Sequence, residues 1–157
     1  MDGHERWLAA CAALGLEPEV ATYPAGTATS ADAAAALGCT VAQIAKSVVF
    51  VGEEGPVVVI ASGADRIDRK KRLRKALGHK PGMADAAYVE RAVGYKVGGV
   101  PPFGHEGSPV VFMDTALLEH DEVWAAAGSS TTVFRIRPED LLRVSGATAC
   151  EVREVRA

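Results

Sequence analysis

The chain of 157 residues has little of what marks several common protein classes. Cysteine is scarce: Cys11, Cys39 and Cys150 are odd in number and form no C-x-x-C pair, and His4, His79, His105 and His120 show no metal-ligand spacing. Neither a disulfide framework nor a structural zinc is indicated, and no residue pattern calls for another cofactor. Long apolar runs are missing as well. The strongest, VVVIA at 57–61, is far short of the roughly 20 residues that cross a bilayer. The opening segment, MDGHERWLAACAALGLEPEV, carries acids and breaks at Gly15 and Pro18, so it lacks the basic start and sustained apolar core of a secretory signal. Together these absences predict a cytoplasmic protein with no membrane partner. Net positive charge is lacking too: at −3, the chain as a whole gives no reason to expect DNA binding. Linkers and internal repeats are not apparent, so residues 1–157 read as one globular domain, long enough to bury a core.

The charge that is present is unevenly placed. Seven of the 17 basic residues fall in RIDRKKRLRK at 66–75, where Asp68 is the only acid. The stretch from Asp68 to Leu77 reads as a short helix, with Asp68 as N-cap, Leu73, Ala76 and Leu77 on one face, and Gly78 closing it. Lys71 and Lys75 then point away from the core, with Arg72 and Arg74 at their flanks. They form either a solvated face or a stripe for the phosphates of a nucleic acid.

Elsewhere strands and helices are interspersed. A helix is expected over about His4–Leu14, a strand over Val20–Tyr23, and an Ala-rich helix from Ser30 to Gly38. Thr40 and Gln43 form a capping-box pattern that opens another short helix. SVVFV at 47–51 and VVVIAS at 57–62, joined by GEEGP, give a hairpin signal. Asp85 caps a helix through Val93; strands follow at Val110–Asp114, Val123–Ala127 and Thr132–Ile136. Pro138-Glu139-Asp140 opens a last helix. Without a regular βαβ alternation, this order argues for a mixed-sheet α+β domain.

Two places stand out for chemistry. Lys46 lies where IA meets the apolar run SVVFV, a position where a cation gains from burial only if something anionic meets it, or where it snorkels from a strand end. The second is GYKVGGVPPFGH at 94–105, with four glycines and two adjacent prolines in twelve positions. Gly allows close backbone approach and Pro holds a loop without further ordering cost, so the N–H groups of Gly98 and Gly99 could face an oxyanion or a carbonyl. His105, Asp114 and the hydroxyls at 129–132 are weaker signals taken one by one.

Their order along the chain is a stronger one. IAKS before an apolar strand, the hairpin, a lysine-rich helix closed by LG, MADA, GYKVGGVPPFGH, an apolar strand ending in Asp, then VWAAAGS and VFRIRPEDLL together resemble the YbaK/prolyl-tRNA synthetase-associated editing domain family. The resemblance runs from about Tyr23 to Gly146. It implies the fold of that family, a mixed sheet with a partly closed, barrel-like core and surrounding helices. It also implies a free-standing aminoacyl-tRNA deacylase that hydrolyses the ester of a mischarged tRNA, with an aminoacyl-tRNA synthetase as a further partner. By the same resemblance Lys46 is important for binding and activity near the 3′-terminal adenosine. Gly98, Gly99, Val100, Pro101 and Pro102 carry the G-x-x-x-P wall of the aminoacyl pocket. Tyr23 and Asp114 match positions lining the site in the cysteinyl-tRNA(Pro) branch, and Gly128 and Ser129 fall in the matching AAGS motif. Ser47 departs from the Asn of the alanine-editing branch and His105 from the Gln of the cysteine branch, which leaves the amino acid open among Ala, Ser, Thr and Cys, with tRNA(Pro)-like substrates implied.

The chemistry agrees with that implication. An aminoacyl ester is already activated, so hydrolysis needs a positioned water or substrate group and a stabilised oxyanion more than a strong nucleophile. No Ser or Cys sits in a G-x-S-x-G elbow or beside a clear His partner. A ribose hydroxyl or a substrate thiol could assist instead. Editing answers a physical limit, because one methylene is worth only about 1–3 kcal/mol of discrimination. Two other readings remain open: a non-catalytic tRNA-binding module, and a lysine enzyme forming a Schiff base through Lys46.

Overall fold

The computed structural model describes residues 1–22 and 29–155. Its centre is β3 (Pro56–Ser62), buried at every position after the first. VVVIAS lacks polar alternation because both faces of this strand are covered. The turn at 52–55, closed by Gly52 N–H to the Gly55 carbonyl at 2.9 Å, returns the chain from β2 (Ile44–Val51), which pairs antiparallel with β3 from Ala45↔Ser62 to Val51↔Pro56.

Six further strands complete one mixed sheet: β1 (Glu19–Thr22), β4 (Gly82–Met83), β5 (Val110–Asp114), β6 (Val123–Ala126), β7 (Thr132–Ile136) and β8 (Thr148–Cys150). The order is β1-β7-β6-β2-β3-β5-β8, with β4 added on β2. Neighbours β2 and β6, β3 and β5, and β5 and β8 run parallel; the remaining pairs are antiparallel. The mixed sheet and surrounding helices are as expected, and among the described residues the sheet does not close into a barrel. Among the described residues its end strands β1 and β8 bond only to β7 and β5, and helices and the C-terminal segment cover its faces.

On one face pack α1 (Gly3–Ala13), α4 (Ala86–Val93) and α5 (Pro138–Ser145), which bring Trp7, Val93 and Leu141 against Val49, Ile60 and Phe134. Asp2 and Glu5 form a capping box for α1, and Asp85 caps α4 through the Tyr88 N–H. The other face holds Phe50, Val59, Phe112 and Val152, covered by Leu73 of the basic segment. That segment is not one α-helix. Arg69–Leu73 forms a wide π turn, closed by Leu73 N–H to the Asp68 carbonyl at 2.9 Å, and only Arg74–Leu77 (α3) is α-helical. The extra residue turns Leu73 into the core and leaves Ala76 exposed, where the sequence reading had placed it on the buried face. The Ala-rich α2 (Ser30–Leu37) lies over Ile44 and Trp124 and ends at Gly38 in the left-handed region. Among the described residues no helix is long and apolar enough to cross a membrane.

Candidate active site

The site begins with a defect in the sheet. Gly63 N–H bonds the Ile44 carbonyl and Gly52 N–H bonds the Gly55 carbonyl, so the even-numbered residues of β2 turn their backbone groups to β3. The odd-numbered ones face the other edge. There β6 pairs only with Ile44 and Ala45, and β4 only with Phe50 and Val51. Between them the N–H and C=O of Ser47 have no strand partner among the described residues.

A cavity of about 370 Å³ opens in this wedge, within the usual range for small-ligand sites. Its walls are β2 from Ile44 to Val48, β6 from Trp124 to Ala126, the start of α2 with Thr29, Ser30 and Ala33, Val97, Gly98 and Val100 of the glycine-proline loop, and Ser129, Ser130, Thr132 and Val133. Most of the lining is apolar or hydroxyl-bearing. Lys46 is its one charged side chain among the described residues. Its Nζ donates to the Asp65 carbonyl at 2.5 Å, and an ammonium has two further donors to offer. Burial pushes the Lys46 pKa down from the ordinary lysine value, and the nearby Asp65 carboxylate partly offsets this. The carbonyl is itself held by a turn: Asp65 N–H bonds the Ser62 carbonyl at 3.0 Å, and Ser62 Oγ donates to Ala42 at 2.9 Å. Ser47 Oγ is buried with no hydrogen-bond partner among the described residues.

The glycine-proline loop is ordered from behind. Tyr95 Oη donates to the Gly104 carbonyl at 2.8 Å, and His105 Nε2 meets the Pro101 carbonyl at 2.7 Å. Since a carbonyl only accepts, His105 carries its proton on Nε2; burial depresses its pKa, with the Pro101 bond opposing. Gly98, at φ +91°, occupies a turn position closed by Gly99 N–H to the Lys96 carbonyl at 2.9 Å. That bond removes Gly99 N–H from the pair of donors the sequence suggested for an oxyanion and leaves Gly98 N–H as the candidate. Gly99 is glycine for another reason: a Cβ there would lie 2.8 Å from Ser129 Cα, so it sets how closely the two loops of the wall approach.

The cavity therefore gathers Lys46, Ser47, Gly98, Val100 and Ser129 from the residues expected at the site. Gly99, Pro101, Pro102 and His105 stand behind the wall and shape it. Gly128 faces α1 instead, where a Cβ would come 2.4 Å from the Gly3 carbonyl oxygen. Asp114 does not line the cavity. Fully buried, it accepts from Ala116, Val152 and Arg153 N–H and from the Arg153 guanidinium at 2.8 Å, which ties the C-terminal segment to β5. Tyr23 lies outside the described residues. Lys71, Arg74 and Lys75 are exposed and do not line the cavity. Sequence reasoning missed Ser30 and Trp124, which reach the cavity through the packing of α2 and the pairing of β6 with β2, and the Asp65 carbonyl, which the β2–β3 hairpin returns to Lys46.

The chain matches the model of the aminoacyl-tRNA editing domain over residues 24–144. It is 34% identical over 130 residues to the uncharacterized protein YwhH of Bacillus subtilis (strain 168), covering 82% of each chain. It is 29% identical over 121 residues to the "Putative Cys-tRNA(Pro)/Cys-tRNA(Cys) deacylase EbsC" of Enterococcus faecalis (strain ATCC 700802 / V583), covering 76% of this chain and 73% of that one. A crystal structure described as a "putative trans-editing enzyme for prolyl tRNA synthetase" superposes with a TM-score of 0.92 at 35% identity, over 99% of both chains. With its sheet, its lysine-bearing cavity and these likenesses, the chain belongs to the aminoacyl-tRNA editing domain family.

Proposed function

We propose that this protein is a trans-acting deacylase that hydrolyses the ester of a tRNA mischarged with a small amino acid. The observation that carries the reading is Lys46: a cation in the wall of a mainly apolar cavity, fixed by a backbone carbonyl with donors to spare. An ester on a terminal ribose would enter with its side chain between Val100, Ala125 and Val133. Its carbonyl or the flanking phosphate would meet the Lys46 ammonium. As the tetrahedral intermediate forms, negative charge develops on the carbonyl oxygen, and a fixed cation with a backbone N–H such as that of Gly98 would stabilise it. Water, assisted by the ribose hydroxyl or a substrate thiol, supplies the attack.

Small amino acids fit because the wall cannot yield: Val100, Pro101 and Pro102 are buried and held by His105 and Tyr95. The amino acid is drawn from Ala, Ser, Thr and Cys, and the reaction takes place in the cytoplasm. The exposed Lys71, Arg74 and Lys75 would meet the tRNA backbone away from the reacting ester.

A panel of tRNAs misacylated with these amino acids, assayed in single turnover, tests the reading. At least one ester should be cut well above the spontaneous rate, and Lys46→Ala should lose most of that rate at an unchanged thermal midpoint. A variant as active as the wild type removes Lys46 from the mechanism. Tight binding of tRNA with no hydrolysis favours a non-catalytic binding module.

A further inference from the structure

We infer that a groove beneath the basic turn receives the single-stranded 3′ end of the RNA, with Arg66 and Lys70 on its phosphates, and leads it over the gap in β2 to Lys46. The direction of travel rests on the deacylase reading; the groove itself does not. It has a volume of about 510 Å³ and shares Lys46 and Val48 with the cavity. Lys46, Val48 and Phe50 alternate onto this face of the sheet, while Ala45, Ser47 and Val49 turn to the other. The two spaces therefore meet around the strand edge at Ser47, where neither β6 nor β4 is paired.

The groove has the chemistry of a single-strand site. Val48, Phe50 and Ile67 give it an apolar floor, and the side chain of Met83, 70% exposed, stands at its margin as a flexible surface for a base. Lys46, Arg66, Arg69 and Lys70 face it against two acids, Asp68 and Glu154. Asp68 is turned to the Lys71 N–H, and Arg69 is engaged with the Pro81 carbonyl at 2.8 Å. Arg66 and Lys70 are exposed and enter no ion pair among the described residues. Apolar surface for base faces beside cations for phosphates is how single strands are bound without sequence preference.

The test compares wild type, Arg66→Gln/Lys70→Gln and Lys71→Gln/Arg74→Gln/Lys75→Gln in binding an uncharged RNA trinucleotide, CCA, across a salt series. All five positions are exposed, so folding should be unaffected. The double variant should bind at least tenfold more weakly at low salt, and its slope of log affinity against log salt should shrink by about 1.4 for two single-strand contacts. The triple variant should match the wild type. Wild-type affinity and slope in the double variant, or an equal loss in the triple variant, overturns the groove. Hydrolysis of aminoacyl-adenosine, which lacks those phosphates, keeps the two ideas apart. If no ester is cut yet the double variant loses the trinucleotide, the deacylase reading falls and the groove stands.

Discussion

His105 and Asp114 are both polar, both withdrawn from water and both suggested by sequence as substrate contacts, yet each does its work on the backbone. Asp114 uses three hydrogen bonds, from Val152 N–H, Arg153 N–H and the Arg153 guanidinium, to hold the C-terminal segment, and a fourth to cap the turn at Ala116. The family resemblance could place it near the site, but only the parallel pairing of β8 with β5 shows that the last residues return to it. His105 fixes the Pro101 carbonyl as a neutral imidazole, and that makes the protein pH-sensitive. Burial holds its folded pKa below the ordinary 6.5, so the unfolded chain binds a proton more readily than the folded one. The contribution is complete above about pH 6.5 and is lost as pH falls through that value toward the folded pKa. His105→Gln keeps a donor for the carbonyl and removes the titration. Denaturant unfolding from pH 7.5 to 5.0 should show a stability difference between wild type and variant that is flat at the top and moves against the wild type at the bottom. Parallel curves would show that His105 is not the sensor.

At the scale of elements, strong periods and caps were legible and short pairings were not. The boundaries of β5 and β7 and the caps Asp68 and Asp85 follow from the residues themselves. The two-residue β4 and three-residue β8 are too short to show a period, and the π turn has no sequence signature of its own. Lys46 was expected between a helix and a strand. It is the third residue of β2, because IA pairs with β6 instead of ending a helix. Val97, Gly98 and Val100 of the glycine-proline loop line the cavity, but the reason for its glycines had to come from packing. A Cβ on Gly98 would meet Ser130 Cβ at an ordinary 4.0 Å, and its φ is positive, so Gly98→Ala should cost only the left-handed strain, about 1–2 kcal/mol. Gly99→Ala drives a Cβ into the Ser129 backbone and should part the two loops. Thermal midpoint and single-turnover rate should therefore both fall further for Gly99→Ala than for Gly98→Ala. A reversed order would return Gly99 to a direct role against substrate.

Across the whole molecule, the cavity is joined to a helix that contributes nothing to its lining. Trp7 of α1 is fully buried against Phe103 of the loop and Phe134 of β7, with ring centroids 5.6 and 4.5 Å away. His4 Nδ1 meets the Ala127 carbonyl at 2.7 Å, and Gly3 and Gly128 touch backbone to backbone. Gly128→Ala should push α1 away from both loops of the wall, lowering the thermal midpoint and shifting Trp7 fluorescence to the red. An unchanged spectrum with lost activity would instead place Gly128 against the substrate.

The strand order also sets a timetable. Glu19 of β1 bonds Arg135 of β7, 116 residues later in the chain, and β5 finds β8 only at Thr148–Cys150. During synthesis at about 5–20 residues per second, β1 would wait roughly 6 to 23 s before its neighbour exists. Through that interval its edge and the apolar β3 have no native cover on at least one side. A nascent chain of this protein thus has to keep β1 unpaired until β7 has been made.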